Sequence, residues 1–189
     1  MINENKLIWN ELERKTVFTT KIFSVCEAVC MSPCGARAPF SVLESNNWAI
    51  VIPVINTKNG EEFVMVRQWR HGARAMSVEF PGGVIERHEA AAAGAQRELR
   101  EETGYVPSRI TLIGSMNPNP AFMENCVSFF VAEDLSFAGN QKLDEDEYVS
   151  VELHPVDEVI KNMGSPPYIH ALMAAALNFW IKYRSDNVR

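Results

Sequence analysis

The sequence predicts an α/β fold, a mixed sheet with helices on both sides, and three stretches carry that prediction. Residues 48–55 form a nearly continuous apolar run, as expected of a strand covered on both faces. Residues 87–103 then change character, with five alanines and alternating Glu and Arg, all good helix formers. Near the end, Ile169, Leu172, Met173, Ala176 and Trp180 repeat at helical spacing and predict a last, buried helix.

The remaining elements follow in chain order. Residues 18–31 are rich in β-branched and aromatic side chains and read as strand, and the stretch from Pro33 to Pro39 interrupts them with a turn at Cys34-Gly35-Ala36. A polar segment at 44–47 marks a boundary, so residues 1–47 are expected to form an N-terminal β segment and 48–189 the main domain. Asn59-Gly60 is a hairpin signal with a returning strand over 63–67. Gly104 is placed to end the helix of 87–103, and Pro107 forbids its continuation. Strands are expected over 110–114, 126–132 and 148–154, a short helix over 155–162, and the final helix after Pro166-Pro167.

Bulk properties limit the function. With 189 residues and 47% of them hydrophobic, the chain suits one globular domain with a short appended segment. A net charge of -6 argues against binding a nucleic-acid backbone, whose affinity rests on clustered Lys and Arg. The first six residues are polar and lead into no apolar signal segment, so an unprocessed, cytoplasmic protein is expected. The apolar stretch 169–181 is too short to cross a bilayer. Cys26 and Cys30 on one strand would stand about 13 Å apart. That is too far for one zinc ion with bonds of about 2.3 Å, so ordinary reduced thiols are expected.

The helix of 87–103 holds the chemistry. Glu98, Glu101 and Glu102 are three and four residues apart, which places them on one helical face. Like charges so spaced cost about 0.2–0.5 kcal/mol per pair on an exposed helix. Arg97 and Arg100 relieve this in part, but a cluster of hard oxygen ligands makes better sense around Mg2+. Just upstream stands Glu79-Phe80-Pro81-Gly82-Gly83, where paired glycines let the backbone approach a metal or a phosphate. Taken singly, a Gly-Gly pair is a turn and a Glu-rich helix a solvated face.

Their joint spacing is more specific. Gly83, five residues, Glu89, seven residues, then Arg97-Glu98-Leu99-Arg100-Glu101-Glu102-Thr103-Gly104 resembles the Nudix box at every charged and glycine position. Tyr105 stands where that family has a small aliphatic residue, a change that removes no ligand. The resemblance implies an α/β/α sandwich and hydrolysis of a diphosphate bond with Mg2+, or Mn2+ in its place. It makes Glu98, Glu101 and Glu102 the side-chain metal ligands and catalytic carboxylates, and the Gly82 carbonyl a backbone ligand. Arg97 and Glu89 would tie the box together, with Glu89 near the metal edge.

Flanking residues narrow the resemblance. Residues 9–16, the stretch Val66-Arg67-Gln68-Trp69-Arg70 and residues 79–83 resemble the ADP-ribose and nucleotide-sugar pyrophosphatase branch. That branch implies a homodimer with exchanged N-terminal antiparallel strands, base stacking by Trp9, and substrate contacts by Arg70 and Glu79. Pro120 matches a proline of ADP-ribose hydrolases, whereas residues 117–125 depart from the usual Ser-Pro-Gly-Phe pattern and leave GDP-mannose-like substrates open. The acidic run 144–147 precedes an expected strand where the branch carries its base, so Glu145 or Glu147 is implied as base, against a plain solvated loop.

The expected substrate is therefore ADP-ribose or a related nucleoside diphosphate sugar, cleaved to a nucleoside monophosphate and a sugar phosphate, without nucleic-acid or membrane partners. The alternatives are a Nudix hydrolase of a triphosphate or dinucleotide, and a silent nucleotide-binding Nudix domain. His71 and His88 lack partners at the spacing of a catalytic triad, and no phosphate-binding Gly-x-x-x-x-Gly-Lys loop is present.

Overall fold

The computed structural model describes residues 4–145 and 147–187. It divides into two compact units: the chain up to Asn46 together with Asn117–Cys126, and Asn47–Met116 together with Val127–Arg189. The segment Asn117–Cys126 thus joins the N-terminal unit, although it lies far along the chain.

In the first unit, β1 (Asn10–Thr19), β2 (Ser24–Met31) and β3 (Arg37–Glu44) form an antiparallel sheet in the order β1-β2-β3. The β-rich run of 18–31 is split by a tight turn in which the Thr20 hydroxyl accepts the Ile22 and Phe23 N–H groups. This local side-chain bond competes with strand pairing and ends β1. The second turn closes through the Ser32 hydroxyl, which accepts Ala36 N–H, with Gly35 at φ 88°. Cys26 and Ala28 are buried along β2. The later segment lies along β3, where Leu43 donates to the Phe122 carbonyl and accepts from Glu124 N–H. Arg14 adds ion pairs to Glu11, Glu44 and Glu124 at 2.6–2.7 Å.

The second unit is built on β4 (Trp48–Thr57), β5 (Gly60–Arg70), β6 (Ala75–Glu79), β7 (Gly82–Val84), α1 (Ala91–Thr103), β8 (Tyr105–Met116), β9 (Val127–Phe137), β10 (Val149–Pro155), α2 (Val156–Asn162) and α3 (Ala171–Asn187). The sheet runs β10-β5-β4-β9-β8, with β6 on β5 and β7 on β4. It is mixed: β4 and β9 are parallel, and the other pairs are antiparallel.

Strand periodicity sends alternate residues to opposite faces, and both faces are covered. Ile50, Ile52, Val54, Val127, Phe129 and Val131 meet Met173, Ala176, Leu177 and Trp180 of α3. Ala49, Val51, Phe130 and Ala132 meet Ala95 and Leu99 of α1 on the other side. The continuous apolar run of 48–55 is the direct consequence, because β4 buries both sets of side chains.

Helix α1 begins four residues later than its composition suggests. His88 takes φ 71° and Ala90 is extended, while the Glu89 carboxylate and N–H bond back to Glu86. That turn consumes the groups that would have formed the first helical turn. The helix ends as expected at Gly104, φ 76°, whose N–H donates to the Arg100 carbonyl. A Cβ there would overlap the Gly139 carbonyl oxygen. Strand β8 is longer than the 110–114 core, and β6 and β7 are additional; neither has the alternation that marks a strand in sequence. No helix among the described residues is long and apolar enough to cross a membrane.

Candidate active site

β7 presents the Gly-Gly backbone to α1. Pairing of Ala49 with Gly83 and Ile50 with Gly82 fixes this short strand against β4. A Cβ on Gly83 would stand 2.7–2.8 Å from the Glu98 carboxylate, so any larger residue would make that carboxylate shift. Gly82 N–H donates to Glu102 Oε2 at 2.9 Å. The two glycines and the two glutamates thus form one contact.

The three box glutamates are held differently. Glu102 is 5% exposed, and its carboxylate accepts the Gly82 amide. Burial raises its pKa to about 8, with the charges of Glu98 and Glu147 adding to the rise and Gly82 N–H and Arg70 opposing it. Glu98 is also shifted upward, first by burial and then by Glu101 and Glu147, against the pull of Arg97. Glu101 is more open and accepts Arg97 Nη1 at 3.0 Å.

Arg97 is the clamp of the cluster. Its Nε and Nη2 donate to the two Glu89 oxygens at 3.1 Å each, Nη2 also reaches the Val84 carbonyl at 2.9 Å, and Nη1 lies 2.8 Å from Glu98. A planar guanidinium can make all these bonds at once, which a lysine cannot. Glu89 is held below the usual carboxylate range, chiefly by these Arg97 bonds.

At the end of β5, Arg70 makes a bidentate pair with Glu79 of β6: Nε to Oε1 at 2.8 Å and Nη2 to Oε2 at 2.6 Å. Glu79 is 1% exposed. Burial pushes its carboxyl upward, but the Arg70 bonds and charge outweigh it and leave the pKa lowered. The charge of Glu102 is felt at Arg70, which places this pair in the electrostatic neighbourhood of the carboxylates.

The match to a family model decides the affiliation: the NUDIX domain model covers residues 46–173. The chain belongs to the NUDIX family. It is 32% identical over 175 residues to the ADP-ribose pyrophosphatase of Bacillus subtilis, covering 89% of this chain and 92% of that protein. The methanol dehydrogenase activator of Bacillus methanolicus is 35% identical over 111 residues, 58% of this chain and 60% of its own length. A crystal structure of an ADP compounds hydrolase superposes with a TM-score of 0.83 at 20% identity, over 96% of both chains, and establishes the shared fold.

The donor chemistry of this Nudix box fits a divalent cation, which Nudix hydrolases generally use. Hard carboxylate oxygens converge near the Gly82-Gly83 backbone, and Glu102 is buried with no cationic hydrogen-bond partner among the described residues. Among the described residues, the side chains as placed do not close into a set of three metal-ligating groups, since Arg97 Nη1 holds both Glu98 and Glu101.

Other expected site residues are distributed as follows. Glu147 contributes charge at both Glu98 and Glu102 and accepts Asp144 N–H at 3.3 Å. Asp146 lies outside the described residues. Trp9 belongs to the first unit, where its half-exposed indole meets Phe40 edge-on at 5.1 Å. Sequence reasoning missed Gln141, whose side-chain amide donates to the carbonyls of Glu102 and Val149 at 2.6 and 3.1 Å. With Lys142 N–H on the Glu101 carbonyl, it ties the acidic loop to the end of α1. A lone glutamine in a polar loop carries no pattern that would have revealed this.

Proposed function

We propose that the chain hydrolyses the diphosphate bond of ADP-ribose or a related nucleoside diphosphate sugar in the presence of Mg2+, yielding a nucleoside monophosphate and a sugar phosphate. The observation carrying this reading is the buried Glu102 beside Glu98 at the Gly82-Gly83 backbone, with Arg97 bonded to Glu98 and Glu101. The name of the Bacillus subtilis relative, matched along nearly its whole length, supports the substrate class.

In this reading Glu98, Glu101 and Glu102, with the Gly82 carbonyl, hold the metal. A divalent ion held there would supply positive charge to offset that developing on the diphosphate and would make water more acidic. Gly82 N–H fixes the Glu102 carboxylate, and Arg97 bonds both Glu98 and Glu101. Glu147, whose charge acts at Glu98 and Glu102, is assigned the proton-accepting role, with Glu145 as the alternative. Arg70, pre-oriented by Glu79, offers the guanidinium edge left free to a substrate phosphate. Trp9 is assigned to the base, in a homodimer that exchanges N-terminal strands.

The test measures release of phosphomonoester from ADP-ribose, ADP-glucose, GDP-mannose, a dinucleoside polyphosphate and a nucleoside triphosphate with Mg2+, for the native chain and Glu102→Gln. Turnover of a nucleotide sugar that falls at least about a hundredfold in the variant is expected. Turnover confined to the triphosphate would overturn the substrate class, and no turnover of any compound would favour a binding role.

A further inference from the structure

Helix α1 ends beside the carboxylates, and the carbonyls of its last turn have no donors within the helix. Gly104 N–H takes the carbonyl of Arg100 at 2.8 Å. The next two carbonyls belong to box residues themselves. Glu101 O accepts Lys142 N–H at 2.8 Å, and Glu102 O accepts Gln141 Nε2 at 2.6 Å. Gly104 O accepts Ala138 N–H, also at 2.8 Å. The chain after β9 therefore caps α1 at the very residues whose side chains are the metal-ligand candidates.

Gln141 also reaches in a second direction. Its Nε2 carries two hydrogens, and a second bond runs to the Val149 carbonyl at 3.1 Å, at the first residue of β10. Bridging two carbonyl oxygens from one atom needs two donors, and a carboxamide supplies them without adding charge beside Glu101 and Glu102. Val149 is itself paired with Gln68 of β5. One side chain thus ties the end of α1 to the edge of the sheet.

Glu147 stands two residues before Val149, between these anchors. Its N–H donates to the Asp144 carbonyl at 3.1 Å, and its carboxylate accepts Asp144 N–H at 3.3 Å. It is exposed, so packing does little to place it, yet its negative charge acts at Glu98 and Glu102. The attachments on either side of it set where that charge stands.

We propose that Gln141 is a positioning residue for the hydrolysis: by bridging Glu102 O and Val149 O, its carboxamide holds the segment bearing Glu147 in register with the box glutamates. The role rests on the hydrolase reading and on the assignment of Glu147 within it. Gln141 acts through Glu147 and has no part in binding substrate. A displacement of about 1 Å at a reacting group can cost on the order of a hundredfold in rate, so loosening this bridge reaches kcat rather than KM.

The test is a double-mutant cycle on the full chain, with ADP-ribose and Mg2+. Gln141→Met keeps the length of the side chain and removes both donors; it is made alone and together with Glu147→Gln. Alone, it should lower kcat at least about tenfold with KM within about twofold. With Glu147→Gln already present, the same substitution should change kcat by less than about twofold, because the group it positions is gone. Gln141→Asn, whose shorter carboxamide can serve only one of the two carbonyls, should fall between native and Gln141→Met. Two readouts need no turnover: exchange of the Lys142 amide, followed by NMR, should quicken in Gln141→Met, while calorimetric Mn2+ affinity stays within about threefold of native. An unchanged kcat in Gln141→Met, an equal loss in both backgrounds, or a loss matched by weakened Mn2+ binding overturns the proposal; the last two place Gln141 in support of the box alone. Native turnover of ADP-ribose in any of those cases leaves the hydrolase reading standing. Absence of native turnover of any nucleotide sugar overturns that reading and this role together.

Discussion

Replacing Glu79 by glutamine isolates the physics of the Arg70–Glu79 pair. Both oxygens of this 1%-exposed carboxylate are engaged by Arg70 at 2.6 and 2.8 Å. Breaking a buried ion pair costs about 3–5 kcal/mol when the surviving charge stays buried. The Arg70 side chain is 42% exposed, so water recovers part of its solvation and the expected cost at neutral pH is nearer 2–3 kcal/mol. The folded-state pKa of Glu79 is lowered, so its contribution is present above the unfolded-state value of about 4.5 and is lost as pH falls through the folded value. Glutamine does not titrate. The stability gap between wild type and Glu79→Gln should therefore be wide at pH 7 and shrink steadily below pH 4.5. Urea unfolding followed by tryptophan fluorescence at several pH values measures the gap. A gap that is constant with pH, or smaller than about 0.5 kcal/mol at pH 7, would refute the claim that a desolvated charge pair positions Arg70.

Three further outcomes follow from the same geometry. Gly104→Ala forces a side chain into left-handed backbone against the Gly139 carbonyl and should lower stability by about 1–3 kcal/mol, read as a reduced urea midpoint with unchanged slope; an unchanged midpoint would contradict the close approach. Leu99→Ala empties a fully buried position between α1 and the sheet and should cost about 2–5 kcal/mol, and with it part of the affinity for the divalent ion, because α1 carries the box glutamates. Glu147→Gln should lower kcat for the cleaved nucleotide sugar about a hundredfold while Glu145→Gln leaves it within about threefold; equal effects would remove Glu147 from its assigned role.

The box itself was legible in the sequence because its chemistry is local. Helical periodicity brings Glu98, Glu101 and Glu102 to one face whatever surrounds them, and Gly104 and Pro107 mark the end of the helix without reference to the rest of the fold. The two-sided burial of β4 was equally plain, since a strand covered by α1 on one face and α3 on the other must be apolar throughout. Short edge elements were not legible: β7 is three residues of Gly-Gly-Val, and only its pairing with β4 makes it a strand.

What the sequence by itself determined is the set of groups, their order, and the helical face that gathers three carboxylates, because these depend on spacing along the chain. What tertiary structure alone decided is how those groups differ. Packing buries Glu102 while leaving Glu101 open, joins Arg70 to Glu79 across neighbouring strands, and sets Gln141 over the end of α1. Desolvation and charge pairing act through space between residues distant in sequence, so no one-dimensional spacing encodes them.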